Sequence, residues 1–229
     1  MRKPLNKLLE NWGYRIEKIS RFSVLLERLY RKTPNFKFVQ VGANDGVSFD
    51  DLYEFVTTHY CAGLVIEPLP DVFEVLRLNY LHYPRIVPVN MAVHADQTTA
   101  TLYRVAADKI AALEKPWAAG IASFSPKHAL ELGIPPELIT EESVACAPLM
   151  EVLTRHGALD AQMLQIDTEG YDAEVIKMID FSRFRPALLK YEKRSLTASQ
   201  QAATQDLLMR AGYRIIQDGS DTVASVNRD

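Results

Sequence analysis

Two cysteines in 229 residues, Cys61 and Cys146, are too few for a disulfide-stapled secreted scaffold. They read as free thiols in a reducing compartment, with Cys61 beside a predicted buried strand. No stretch approaches 18 consecutive apolar residues, and the N-terminus has no continuous apolar segment of signal-peptide type. Neither a transmembrane helix nor a signal peptide is therefore expected. The chain also lacks the G-x-G-x-x-G dinucleotide fingerprint and the Lys-Ser/Thr of a P-loop. That disfavours a nicotinamide dehydrogenase and a P-loop nucleotide hydrolase. An Asn/Asp-Pro-Pro-aromatic segment is missing, and the net charge is −3. Nucleic acid is not an expected partner. There is no internal repeat and no low-complexity tract.

Apolar residues make up 48% and charged residues 24% of the chain, an ordinary balance for one globular domain with a sizeable core. The charge is unevenly placed. Residues 1–33 hold nine Lys or Arg against three Glu, a local excess of +6, which leaves −9 for the remainder. Leu5, Leu8, Leu9, Trp12, Ile16 and Ile19, continued by Phe22, Leu25, Leu26 and Leu29, recur at helical spacing, with a break expected at Gly13. Residues 1–33 are thus a basic amphipathic helical extension, and 34–229 are the main domain. Two readings of the extension stand: a helix packed on the domain with solvated charges, or a surface helix touching a membrane or a glycan-assembly partner.

From residue 36 the pattern alternates strand and helix: strands at 36–41, 62–67 and 85–89, helices at 49–58 and 71–81. Ser48 is the predicted cap of the first helix, with Asp51 three residues on. Asp71 and Glu74 form a capping-box pattern for the second. This βαβαβ run predicts a doubly wound parallel sheet with right-handed crossovers. Thr98 to Val105 reads as an added or edge strand. Residues 106–141, rich in Pro and Gly, form a lid or substrate-binding insertion, with Ser125-Pro126 starting a short helix that carries His128. Regularity returns with strand 143–147, helix 148–156, a strand ending at Asp167 and helix 172–179. Strand 187–192 follows, then helix 198–210 begun by Thr197 and ended by Gly212, and a closing hairpin over 213–226.

Two stretches carry the chemistry. In FKFVQVGANDG, residues 36–46, an apolar strand stops at a G-x-x-x-G turn before a helix. About 20 residues on, the second strand ends in Glu67, placed to accept hydrogen bonds from ribose hydroxyls. The turn has no basic residue, and Asp45, Asp50 and Asp51 are close by. A phosphate-free adenosine ligand, S-adenosylmethionine, suits it better than a pyrophosphate. The backbone amides of Ala43, Asn44, Asp45 and Gly46 are expected close to the cofactor, with Gly42 permitting the approach. Asn90, Met91 and Ala92, at the third strand tip, are expected against the adenine. Asp167 and Glu169, in LQIDTEGYD at 164–172, belong at the reaction end. Methyl transfer to a hydroxyl needs the acceptor held in line and a group to take its proton. Asp167, Glu169 or a loop histidine, His94 or His128, is the candidate base. A carboxylate-held divalent metal would suit part of that task, but no ligand set is specific enough to assign one.

These stretches, VQVGANDG at 39–46, VIEPLPDVFEVLRLNY at 65–80, VNMAV at 89–93, ASFSP at 122–126 and LQIDTEGYDAEVIKMI at 164–179, resemble the FkbM-type family of S-adenosylmethionine-dependent methyltransferases. LLKYE at 188–192 also fits. The resemblance implies the Rossmann-like class I methyltransferase fold, a mostly parallel seven-stranded sheet with a reversed last strand. It further implies O-methylation of a sugar hydroxyl in a surface glycan, lipid-linked glycan or natural product. A cytoplasmic enzyme is expected, and the basic N-terminal helix, which the resemblance does not cover, is the segment that would meet the inner face of the membrane. By position, Gly42, Asn44, Gly46, Glu67 and Asn90 correspond to cofactor residues, and Asp167 and Glu169 to the acids of the reaction centre. Gln40 departs from the pattern, standing where many members have Asp. Lys193 also departs, where a His is common. The competing reading is a cofactor-binding scaffold without turnover. Neither the acceptor's identity nor the oligomeric state is legible.

Overall fold

A computed structural model describes residues 20–113 and 115–226. Residues 1–19, with Gly13 and the first part of the basic extension, lie outside the described residues. The elements run α1 (Arg21–Arg31), β1 (Lys37–Val41), α2 (Tyr53–Thr58), β2 (Ala62–Ile66), α3 (Pro70–Asn79) and β3 (Ile86–Val89). β4 (Ala92–Val93), β5 (Thr99–Val105), β6 (Ala122–Ser123), α4 (Pro126–Glu131), β7 (Ile139–Ala147) and α5 (Leu149–Arg155) follow. The chain closes with β8 (Met163–Ile166), α6 (Asp172–Lys177), β9 (Leu188–Glu192), α7 (Ala198–Arg210), β10 (Tyr213–Asp218) and β11 (Asp221–Val226).

Seven strands form one sheet in the order β10-β11-β9-β8-β1-β2-β3. β11 runs antiparallel to both β9 and β10, and the other neighbours are parallel. This is the expected doubly wound sheet with its reversed strand. Both faces are covered, so each central strand is apolar almost throughout. Val39 and Val41 of β1 pack with Leu64, Ile66, Leu164, Ile166, Leu189 and Tyr191. Phe38 faces the other side with Val65, Met163, Leu188 and Val223. The chain order turns at β1, which has β2 and β3 on one side and β8 and β9 on the other. Ligands of such sheets bind beyond the strand ends at that switch point.

α1 lies on the second face. Phe22 and Leu26 are buried there, with Leu25 and Leu29 partly buried beside them. The spacing is i, i+3, i+4, i+7, so the stripe forms one face. The Phe22 N–H donates to Asp218 Oδ2 at 2.9 Å, and its ring sits 4.9 Å from Lys190 Nζ. Over residues 21–31 the apolar face is therefore used on the domain, and Arg28 and Arg31 occupy the last turn.

Several expected boundaries differ. Ser48 does not cap a helix; Asp45 accepts from the Val47 and Ser48 amides at 2.9 and 2.7 Å, making a turn that delays α2 to Tyr53. The Asp71/Glu74 capping box is also absent. Leu69 is the N-cap of α3, Asp71 is held by Arg104 at 2.6 and 2.8 Å, and Glu74 pairs with Arg77. Pro70 opens the helix instead, where its missing N–H costs nothing. β5 belongs to a second sheet, β4-β7-β5-β6, rather than to the edge of the first. β7 begins at Ile139, four residues before the expected start, because its early residues pair with Val105 to Leu102 of β5. Much of the 106–141 insertion packs beside that sheet around Val105, Ala118, Ile121, Ala129 and Ile134. By contrast, Thr197 forms the full capping box with Gln200 at the start of α7. Cys61 and Cys146 are both buried and free.

Candidate active site

A cleft of about 670 Å³ lies over the carboxyl ends of β2, β1, β8 and β9, within the range of small-molecule sites. Its wall includes Gly42, Ala43 and Asn44 of the Gly turn, Glu67, Met91 and Ala92. Asp167, Glu169 and Glu192 close the other end, and the insertion adds Trp117, Phe124 and His128.

The turn is built by the sheet rather than by a ligand. The amides of Gly42 and Ala43 both donate to Ile66 O at 3.0 Å, that of Asn44 to Glu67 Oε2 at 2.9 Å and that of Gly46 to Ala43 O at 2.9 Å. Of the amides expected close to the cofactor, those of Ala43, Asn44 and Gly46 thus have partners within the protein, and Ala43 and Asn44 line the cleft. A Cβ on Gly42 would stand 1.7 Å from Asp167 O, and one on Gly46 2.6 Å from Leu76 Cδ1. The glycines let the turn press against β8 and α3. Asp45 and Gly46 do not line the cleft, since Asp45 is engaged by Val47 and Ser48 and Gly46 lies under Tyr80. Asn90 does not line it either. Its Nδ2 donates to the carbonyls of Glu67 and Pro68 at 2.9 and 3.0 Å, and so fixes the β2 tip.

Glu67 is buried, and its second oxygen accepts from Leu69 N–H at 2.9 Å. Burial pushes its carboxyl up to about 7, against the lowering effect of the two amides. Each oxygen keeps a lone pair for a further donor.

At the other end, Asp167, Glu169 and Glu192 bring oxygens within 4.8 Å of one another. Among the described residues this is the one acidic cluster of metal-site dimensions, a set that the sequence did not single out. Two of the three already have donors. His128 Nε2 lies 2.7 Å from Glu169 Oε2, and Ser195 Oγ donates to Glu192 Oε2 at 2.6 Å. Asp167 opens onto the cleft with no such partner among the described residues. Crowding by the cleft walls, then by Glu169, Asp172 and Glu192, raises its pKa well above the usual carboxylate range. Glu169 chiefly raises that of His128. His94 is not in the cleft; it stacks on Tyr171 at 5.2 Å and meets Phe124 edge-on.

Asp172, unnoticed in the sequence, holds the acids in place. Wholly buried, it accepts from Thr168 Oγ1 at 2.9 Å and Glu192 N–H at 3.1 Å, tying the β8 loop to the β9 tip. Ser123 Oγ donates to Glu169 O at 2.8 Å and so fastens the insertion to the same loop. Glu169 itself has a positive φ of 49°, a conformation that non-glycine residues adopt mainly where surroundings impose it.

The family model of the methyltransferase FkbM domain matches residues 40–215, from the end of β1 into β10. The chain belongs to the FkbM methyltransferase family. It is an S-adenosylmethionine-dependent methyltransferase domain. α1 lies outside the matched span. A search of curated proteins finds no significant match. Among solved structures, this FkbM-family domain is similar to precorrin-6y C5,15-methyltransferase from Geobacter metallireducens GS-15. That match has 10% identity and a TM-score of 0.46, covering 90% of this chain and 87% of that one. The N-terminal domain of human METTL16 in complex with SAH matches with 13% identity and a TM-score of 0.47, covering 99% and 82%. Both are distant likenesses.

The residues of the FkbM-family cleft fit the family's cofactor. Gln40 Oε1, Gln165 Oε1 and Asp50 Oδ2 are buried acceptors with no donor among the described residues, and all three side chains line the cleft. Among the described residues, His128 and Arg194 are the only basic side chains on its wall. Such a site suits a cationic, phosphate-free ligand. No helix among the described residues is long and apolar enough to cross a membrane.

Proposed function

We propose that this methyltransferase O-methylates a sugar hydroxyl of a surface glycan, a lipid-linked glycan or a natural product. The observation that carries the reading is the His128–Glu169 pair at 2.7 Å beside the open carboxylate of Asp167. The bound cofactor supplies an electrophilic methyl group on a sulfonium. The chain supplies what a weakly acidic hydroxyl needs: Asp167 accepts its hydrogen bond and orients it, and the His128–Glu169 pair takes the proton. With Nε2 facing Glu169, Nδ1 is the ring atom left to receive it. Trp117 and Phe124 on the cleft wall offer aromatic faces to the apolar side of a sugar ring. The nucleoside end lies toward Glu67, Met91 and Ala92.

The acceptor is a small molecule or a glycan, not nucleic acid. The enzyme works in the cytoplasm, and its basic N-terminal segment meets a glycan-assembly partner or the inner membrane face. The test is methyl transfer from labelled S-adenosylmethionine to a panel of sugar and lipid-linked glycan acceptors. Asp167→Asn and Glu169→Gln should abolish transfer while S-adenosylhomocysteine still binds. An active protein that keeps full turnover with either change would remove the catalytic assignment.

A further inference from the structure

The three orphaned acceptors form one group. Gln40 of β1 and Gln165 of β8 are register partners on adjacent strands, two residues before Gly42 and Asp167 respectively. Both are buried, 2% and 7% exposed. Asp50 descends on them from the loop after β1. Gln165 Nε2 reaches Asp50 Oδ1 at 3.5 Å, and the Gln40 amide lies near enough to the Asp50 carboxyl to lower its pKa. This sets the orientation of the Gln165 amide, because a flip would set its carbonyl oxygen against the carboxylate. The Gln40 and Gln165 Oε1 atoms and Asp50 Oδ2 are left with no donor among the described residues.

Buried acceptors without partners are rare and costly, and three in one place call for a ligand with several N–H bonds. The nearby cation does not serve them. Lys190 Nζ is engaged by Asp51 Oδ2 at 2.6 Å and Asp221 Oδ2 at 3.1 Å. A positive donor with three hydrogens is an ammonium group. The cofactor's reading across the strand tips brings one here. Glu67 and Met91 receive the nucleoside over β2 and β3, so the amino acid end falls over β1 and β8.

We propose that Asp50, with Gln40 and Gln165, receives the α-ammonium of the cofactor's methionine moiety, Asp50 supplying the negative charge that Gln40 lacks at the strand end. The inference rests on the cofactor assignment and names the residues that read its amino acid end.

The test compares two ligands by titration calorimetry. S-adenosylhomocysteine carries the amino acid; 5′-methylthioadenosine shares the nucleoside and lacks it. Asp50→Asn should weaken S-adenosylhomocysteine about 10- to 100-fold, the range of a charge-assisted hydrogen bond, and leave 5′-methylthioadenosine within about threefold. Asn keeps the Oδ1 that accepts from Leu52 N–H at 2.9 Å, so the loop should hold. Gln40→Leu, which removes an acceptor with no partner in the free protein, should show the same selectivity. In the Asp50→Asn background, Gln40→Asp should recover part of the lost affinity by returning a carboxylate to the strand end. Equal weakening of both ligands, or no weakening of S-adenosylhomocysteine, would overturn the assignment. If the unaltered protein binds neither ligand, the cofactor reading itself fails; if it binds only 5′-methylthioadenosine, this inference alone fails.

Discussion

Gly42→Ala probes the joint on which the cleft is built. Gly42 has a φ of +76°, and an added Cβ would stand 1.7 Å from the backbone oxygen of Asp167. Left-handed backbone costs a residue with a Cβ about 1–2 kcal/mol. The clash adds more, because the obstacle is main chain and cannot swing aside. Relieving it means parting the β1 and β8 tips by about 1 Å or more, against the Asp167 N–H bond to Val41 O at 2.9 Å. Each such bond is worth about 0.5–1.5 kcal/mol, and the buried groups that it leaves cost more. The sum is about 3–5 kcal/mol, or roughly 6–20 °C in Tm for a domain of this size. Gly157→Ala is the control: its φ is +62°, and nothing lies within 4 Å of the added atom. That change should cost only the backbone share, about 1–2 kcal/mol. Urea unfolding of the two variants side by side separates strain from contact. Equal destabilisation would refute the account of the turn as a close strand-to-strand joint.

Other predictions bear on the charged groups. Arg104→Met removes a buried guanidinium that joins α3 to the second sheet through Asp71 and Glu142. Both acids reach water when freed, so the loss should be about 1–3 kcal/mol rather than the 3–5 of a fully buried pair, read by urea midpoint. Burial raises Glu67 and Asp172 to about 7 and Asp50 to about 6. The folded state therefore holds more protons than the unfolded one between about pH 4 and 7, and stability falls as pH rises through that window. The Tm of the ligand-free protein should drop by several degrees from pH 5 to 7.5; a flat or rising profile would contradict the burial of these acids. Turnover should climb with pH through a value above the ordinary 6.5 of imidazole, since Glu169 raises His128 and the base works deprotonated. In His128→Gln that limb should vanish and kcat fall about 10²- to 10⁴-fold.

The main sheet was legible because its strands are short apolar runs stopped by turns, and chain order with right-handed crossovers leaves few arrangements. Glu67, Asp167 and Glu169 were legible for the same reason, as polar residues at strand tips. Asn90 and Asp45 lie off the cleft wall, each with its side chain bonded to backbone groups beside it, a local pairing that the sequence does not display. The second sheet was not legible, because β5 and β7 pair across 33 intervening residues that carry no period. Asp172, Gln165 and the pairing of Gln165 with Gln40 were missed for a shared reason. A buried polar residue within an apolar run looks like noise until register sets it beside its partners; Gln40 and Gln165, each two residues before a strand-tip motif, were the available signal.

Titration of S-adenosylmethionine and S-adenosylhomocysteine into the purified protein, beside NAD and ATP, tests the cleft most directly. The account predicts one saturable site for the sulfonium and its thioether product, weakened by Glu67→Ala, and none for the two pyrophosphate-bearing ligands. Folded protein that binds neither member of the pair, or binds NAD and ATP as tightly, would contradict it.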